Sequence, residues 1–153
     1  MVGCPVSRVD FFDIPQVQNC GDYRIWRYVM ENDGSGDGVL DISCLDILPK
    51  DEGYLSFYHS DKSPNTDYSL KVRHINNLIR FKKTNPALFL CFDVLEAKDA
   101  TDNRTDFFDA RYPHIGMSYV DTGDLNSLEL RTILLEISDI YQRASGGVVS
   151  QLL

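Results

Sequence analysis

Several features that would assign this chain to a functional class are absent from its 153 residues. No apolar run approaches the roughly 20 residues that a membrane-spanning helix needs. The first 16 residues contain acids and a proline, which interrupt them before an apolar stretch typical of a signal peptide can form. None of the four cysteines forms a C-x-x-C pair; they are Cys4, Cys20, Cys44 and Cys91. We therefore expect no membrane span, no metal site, no cofactor, and reduced thiols in a cytoplasmic protein.

Positive charge is also scarce. The chain has 15 Lys and Arg against 23 Asp and Glu, which gives a formal net charge of −8 at pH 7. Because phosphates repel an acidic surface, nucleic-acid binding is not expected. The same charge would suit a basic protein partner.

The chain has no internal repeat and no low-complexity tail, and 43% of it is hydrophobic. A chain of this length and composition can bury one sizeable hydrophobic core, but it has too few apolar residues for two. We predict a single globular domain over residues 1–153, in which residues 1–20 form an irregular N-terminal segment.

Hydrophobic periodicity predicts the order of the elements. One helix is expected to begin at a cap formed by Asn65, Thr66 or Asp67 and to stop at Asn85-Pro86, and a second one begins after Asp124 and ends before Gly146. A polar loop is expected over 98–111. Strands are predicted over 23–30, 39–47, 54–59, 87–97 and 114–120. Strands grouped before the helices indicate an α+β fold, a mostly antiparallel sheet of about five strands with two helices packed on one face.

The last predicted helix is apolar on two sides. Leu128 and Leu135 lie seven residues apart, opposite a stripe that we expect to be core: Leu130, Ile133, Leu134, Ile137 and Tyr141. A helix with a second apolar side has a second contact. We predict that Leu128 and Leu135 bind a partner, form a homodimer through this helix, or lie under the N-terminal residues Phe11 and Phe12.

The segment 67–83 is locally basic, with five Lys and Arg against Asp67 alone. On the predicted helix, Arg73 and Arg80 lie along one side. We expect these two arginines to contact an anionic partner surface or a small anion.

One short pattern suggests an enzyme. Asp93, Glu96 and Lys98 follow a strongly apolar run, and as a strand 87–98 would present Glu96 and Lys98 on one face. This pattern resembles a restriction-endonuclease-like core, which implies that the glutamate holds a divalent metal and that the lysine steadies the attacking water. That family also has an acid on the preceding strand, whereas no carboxylate occurs between Asp67 and Asp93.

Three other patterns indicate a site less clearly. Residues 33–44 resemble an EF-hand calcium loop, but Cys44 stands where the bidentate glutamate is required, so we predict a glycine-rich hairpin. His59 is followed directly by a serine and an acid, although the members of a triad usually come from separate elements. Cys91 and His114 could meet if their strands pair.

The sequence therefore predicts a small, acidic, intracellular binding or regulatory protein that acts through its surface. Immunity proteins and antitoxins are an analogy, because their acidic surfaces suit basic toxins. The alternative is a divalent-metal-dependent hydrolase or nuclease-like enzyme that uses the carboxylate-rich segment 93–109. Taken together, these patterns favour a binding protein over an enzyme.

Overall fold

The computed structural model describes residues 8–29, 42–47, 53–59, 87–123, 126–143 and 149–152. Seven strands form one antiparallel sheet with the spatial order β4-β5-β2-β1-β3-β6-β7. The strands are β1 (Arg24–Val29), β2 (Leu55–Tyr58), β3 (Ala87–Asp93), β4 (Thr105–Asp109), β5 (His114–Tyr119), β6 (Asp139–Arg143) and β7 (Val149–Leu152). The predicted α+β class is confirmed, with more strands than the sequence indicated.

Three α-helices belong to the described part of the chain: α1 (Pro15–Cys20), α2 (Val94–Ala100) and α3 (Leu128–Ile137). Two 3₁₀ helices, Phe11–Asp13 and Ile42–Leu45, accompany them. Among the described residues, no helix is both long enough and apolar enough to cross a membrane.

The main core lies on one face of the sheet. α2 and α3 pack against each other there and contribute Val94, Ala97, Leu130 and Leu134, all fully buried. The sheet contributes the alternate residues that share this face, as the strand period requires. They include Ile25, Leu55, Phe57, Leu90, Phe92, Phe107, Ile115 and Met117.

The centre of the opposite face is buried as well. Trp26 and Tyr141 lie with ring centroids 5.2 Å apart, and Phe89 and Cys91 beside them are nearly inaccessible. Sheets that are apolar on both faces read as continuous hydrophobic runs, which explains why "ALFLCFD" in β3 shows no alternation.

Residues 42–47 are not the predicted strand. Ile42–Leu45 form the 3₁₀ helix, and the two residues after it have no regular structure. The backbone of this segment is held by side chains rather than by a strand ladder. Arg27 Nε donates to the carbonyl of Cys44 over 2.8 Å, and the Tyr119 hydroxyl donates to the carbonyl of Leu45 over 2.8 Å. The Asn126 side chain bonds both the N–H and the carbonyl of Ile47, at 2.7 and 3.0 Å.

The predicted strand 87–97 ends at Asp93, where helix α2 begins. The carboxylate of Asp93 accepts a hydrogen bond from the backbone N–H of Glu96 over 3.0 Å, and this cap stabilises the first turn. The predicted polar loop 98–111 is wrong over its second half, because β4 pairs along its whole length with β5. Buried Phe107 and Phe108 favour this pairing.

The last helix is shorter than predicted. Its N-cap is Ser127, whose hydroxyl accepts from the Leu130 N–H, and it ends at Ile137. Asp139–Arg143 form β6, so Tyr141 belongs to a strand and not to the helix stripe. Pairing of β6 with the central strand β3 overrides the helical periodicity of this segment.

The N-terminal segment is only partly irregular, since residues 11–20 form a 3₁₀ helix and α1 and bury Phe11, Ile14 and Val17. The predicted helix between residues 65 and 86 and most of the calcium-like loop lie outside the described residues. The single domain over residues 1–153 stays a prediction.

Candidate functional site

An open cleft of about 680 Å³ lies where β3 passes into α2. Its lining includes all three of the residues that the sequence suggested for catalysis, Asp93, Glu96 and Lys98. The other residues of its lining are Phe12, Arg24, Leu95, Asp99 and Asn103. The three predicted residues therefore do come together, although not in the arrangement expected.

Asp93 has a structural task in this cleft. It ends β3 opposite Arg24 of β1, and one of its carboxylate oxygens caps α2 through the Glu96 N–H. A carboxylate committed to a helix cap has fewer lone pairs left for a metal ion.

Glu96 and Lys98 lie on a helix, so the predicted common strand face is wrong. Residues two apart on a helix point about 200° apart, because each residue turns the helix by 100°. The Lys98 ammonium lies 3.4 Å from the carbonyl of Thr105. Among the residues that the structure describes, no group of three His, Cys, Asp or Glu side chains could hold a metal ion.

The outer end of α2 is fixed by buried hydroxyls. Thr101 is fully buried, and its Oγ1 lies 2.7 Å from the carbonyl of Ala97 and 2.9 Å from the Oγ1 of Thr105. The N–H of Asn103 donates to the carbonyl of Lys98 over 2.8 Å and closes the helix. The cleft therefore has one wall, α2, that is attached to β4 at its far end.

Helix α3 presents the two predicted partner-binding leucines differently. Leu128, in the first turn, is 63% exposed. Leu135 is half-buried and packs against the main core. The predicted shared line of two exposed leucines is therefore not formed, and partner binding or homodimerisation through this helix stays a prediction.

Phe11 and Phe12 do not lie over Leu128, as one of the predicted alternatives required. Phe11 is fully buried in the main core, and Phe12 packs against the same core and lines the cleft. The N-terminal aromatic residues thus pack at the β3–α2 end of the molecule while Leu128 stays exposed.

The sequence analysis did not identify Leu95 as a surface residue. It is 57% exposed on α2 and lines the cleft. In the sequence it falls within an apolar run that we interpreted as a strand. The signal that could have found it is the Asp93-x-x-Glu96 spacing, a capping pattern that places the following residues on a helix.

An ion pair joins the turn after α2 to the first turn of α3. Arg104 Nη2 lies 2.8 Å from Glu129 Oε1, and a second, longer contact of 3.4 Å makes the pairing bidentate. The hydrogen bond and the charge of Arg104 lower the pKa of Glu129. This pair bridges the turn after α2 and the first turn of α3, and the two helices also pack against each other.

The histidine patterns have structural explanations. His59 is fully buried; its Nε2 lies 2.7 Å from the Asp22 carbonyl and its Nδ1 lies 2.8 Å from the Tyr112 hydroxyl. Because a carbonyl only accepts, Nε2 carries a proton. His59 thus connects the end of β2 to the loop between α1 and β1 and to the β4–β5 turn.

Cys91 and His114 do not meet, because β2 and β1 lie between their strands. Burial raises the pKa of the Cys91 thiol well above its usual value, which disfavours a nucleophilic thiolate. Burial also lowers the pKa of His114. Arg73 and Arg80 lie outside the described residues, so their predicted role in anion binding stays a prediction.

The comparisons with known proteins add no relative. No family model matches the chain, and neither a curated protein nor a solved structure matches it.

Proposed function

We propose that this chain is a small acidic binding or regulatory protein that acts through the outer side of α2 and α3. We name this region the α2–α3 surface and define it by Leu95, Glu96, Asp99, Leu128 and Glu129. The observation that carries the proposal is the exposure of two leucines, 57% for Leu95 and 63% for Leu128, on helices that pack together. A contiguous apolar patch rimmed by polar residues is typical of a protein-binding surface, and we propose that Leu95 and Leu128 are the apolar part of one such patch.

Charge suggests the kind of partner. Glu96 and Asp99 line the cleft together with Leu95, Glu129 follows Leu128 in the first turn of α3, and the whole chain has a net charge of −8. A partner with basic residues around an apolar contact would be attracted over distance and held by the leucines. We therefore propose that the partner is a basic protein, as in the immunity-protein analogy, and that the two proteins bind in the cytoplasm.

Photo-crosslinking tests the surface directly. A photoreactive phenylalanine analogue is introduced at position 95, at position 128, or at position 9 as the control. Val9 is also an exposed apolar residue, at 45%, but it does not belong to the α2–α3 surface. We expect one crosslinked species shared by positions 95 and 128 in the source cells, and none of it at position 9. Identical crosslinks at all three positions would contradict the proposal.

One observation supports the alternative enzyme. Asp93, Glu96 and Lys98 line the same cleft as Asp99, so a substrate in this cleft would meet several carboxylates. A thermal melt with Mg²⁺ or Mn²⁺ separates the two functions, since a ligand specific to the native state raises the melting temperature. The binding-protein proposal predicts an unchanged melting temperature. An increase that disappears in Glu96→Gln would favour the enzyme.

A further inference from the structure

The cleft between β3 and α2 opens onto the α2–α3 surface. Leu95, Glu96 and Asp99 belong to both, because they define part of that surface and also line the cleft. A partner that covers this surface therefore covers the mouth of the cleft as well. With about 680 Å³, the cleft has the size of a typical ligand pocket and can hold a long side chain together with some of the backbone that carries it.

The walls of the cleft are of two kinds. Phe12 and Leu95 offer apolar surface, since Phe12 packs against the main core at the edge of the cleft and Leu95 is 57% exposed. Glu96, Asp99 and Asn103 offer oxygen acceptors on the α2 side. A ligand that matches both walls has an apolar stem and a head that donates hydrogen bonds, which is how arginine and lysine side chains are built.

Two basic residues also line the cleft, and each has an acid or an acceptor of its own. Arg24 lies opposite Asp93 in the antiparallel pair of β1 and β3, and opposed residues of such a pair lie on the same side of the sheet. The ammonium of Lys98 lies 3.4 Å from the carbonyl of Thr105. These two bases therefore do not neutralise the remaining acids of the cleft.

The remaining acids are Glu96 and Asp99. Both residues are exposed, and no hydrogen bond or ion pair engages their carboxylates among the residues that the structure describes. They lie three residues apart on α2, a spacing that makes two side chains neighbours on one side of a helix. Two neighbouring carboxylates can accept from one guanidinium, which carries five N–H donors in a rigid fork.

We propose that the cleft receives an arginine side chain of the basic partner, an inference that rests on the proposed function and specifies how that partner is held. The methylene stem packs against Phe12 and Leu95, and the guanidinium pairs with Glu96 and Asp99. Arginine fits better than lysine, because its fork donates to two carboxylates at once and stacks on an aromatic ring. Arginine is also one of the residues that contribute most to protein–protein binding.

Titration with L-argininamide, followed through the backbone amide signals in NMR, tests the cleft without the partner. Citrullinamide is the matched probe, because its side chain has the same length and no charge. We expect argininamide to shift the signals of residues 93–99 and 103, and citrullinamide to shift them much less. Equal shifts with both probes, or no shifts in the cleft, would overturn the proposal.

Two charge-neutralising variants show whether the carboxylates of the cleft are responsible. Asp99→Asn removes one of them. Asp102→Asn is the control, because Asp102 is exposed, does not line the cleft and has a φ of 55° that asparagine also adopts. We expect Asp99→Asn to weaken argininamide binding about fivefold or more, and Asp102→Asn to leave it unchanged. Equal weakening by both variants would mean attraction to the overall negative charge and would contradict a site in the cleft.

The partner gives a second measurement that separates this inference from the proposed function. Each of the two variants is combined with the photoreactive residue at position 128, which lies outside the lining of the cleft. We expect Asp99→Asn to reduce the yield of the crosslinked species that positions 95 and 128 share by about fivefold, and Asp102→Asn to leave that yield unchanged. A shared species that Asp99→Asn does not reduce would leave the proposed function standing and overturn the arginine in the cleft. The absence of any shared species would contradict the proposed function itself, and with it an arginine from that partner, even where argininamide binds.

Discussion

The inner and outer sides of α2 and α3 carry the same kinds of residue in opposite environments. On the inner sides, Leu130 and Leu134 are fully buried, whereas Leu95 and Leu128 on the outer sides are more than half exposed. The difference teaches that apolar content alone does not separate residues that stabilise the fold from residues that are free to bind. Two leucines, two ion pairs and two threonines allow this comparison to be measured, since in each case one is more buried and the other more exposed.

The largest expected effect is on the inner leucine of α3. Leu134→Ala should lower the free energy of unfolding by about 2–5 kcal/mol, because it removes buried methyl groups and leaves a cavity. Leu128→Ala, on the same helix, should change it by less than about 0.5 kcal/mol. Urea unfolding of both variants provides the measurement. Equal losses would mean that Leu128 is buried in solution and would remove the distinction between the two sides.

The second pair consists of ion pairs. Arg131 bonds Asp46 with side chains 14% and 29% exposed, whereas the Arg104 and Glu129 side chains are 31% and 64% exposed. Arg131→Met should cost about 1.5–3 kcal/mol, because it removes a charge-assisted hydrogen bond that fixes residues 42–47. Arg104→Met should cost much less, since exposed pairs contribute little. Urea unfolding at low and high salt should show that only the Arg104 effect is screened.

The third pair consists of threonines that make the same backbone bond. Thr101 Oγ1 lies 2.7 Å from the Ala97 carbonyl in the core, and Thr132 Oγ1 lies 2.8 Å from the Leu128 carbonyl at the surface. Thr101→Val should cost about 1–3 kcal/mol, because Thr105 would lose its buried partner. Thr132→Val should cost less than about 0.5 kcal/mol, because water replaces the lost bond. A larger loss for Thr132→Val in thermal unfolding would contradict the comparison.

The smallest effect is a pH dependence on the outer side. Arg104 lowers the pKa of Glu129, so this carboxylate binds a proton less readily in the folded state than in the unfolded state. Its contribution to stability is present above the unfolded pKa of about 4.3 and is lost as the pH falls through the folded pKa. Glu129→Gln should slightly reduce the acid sensitivity of unfolding below this pH. An unchanged acid profile would indicate that the ion pair is absent in solution.

The elements that were predicted correctly have local signals. β1 is rich in β-branched and aromatic residues, β5 is a short apolar run that contains Ile115 and Met117, and the buried positions Leu130 and Leu134 follow from helical spacing. The boundary between β3 and α2 was missed because the apolar run continues through Val94 and Leu95 across it. A single side chain, Asp93, ends the strand and caps the helix.

The remaining errors come from contacts that are distant in sequence. β6 follows α3 without a break in the helical pattern, and only its pairing with β3, about 50 residues earlier, makes it a strand. Residues 42–47 are held by Arg27, Tyr119 and Asn126, which lie on both sides of them in the sequence. The candidate site was also only partly predictable from the sequence. The sequence indicated Asp93, Glu96 and Lys98, but the exposure of Leu95 depends on the helix that it did not show.

The most direct test of the α2–α3 surface measures the stability and the partner binding of the same variant. Leu95→Gln, Leu128→Gln removes both exposed leucines without changing charge, and Val9→Gln is the matched control. Each protein is immobilised, exposed to extract of the source cells and compared by the proteins it retains, while urea unfolding is measured in parallel. The account predicts unchanged unfolding for both variants, and loss of one basic protein by the double variant alone. Retention of the same proteins by all three would contradict it.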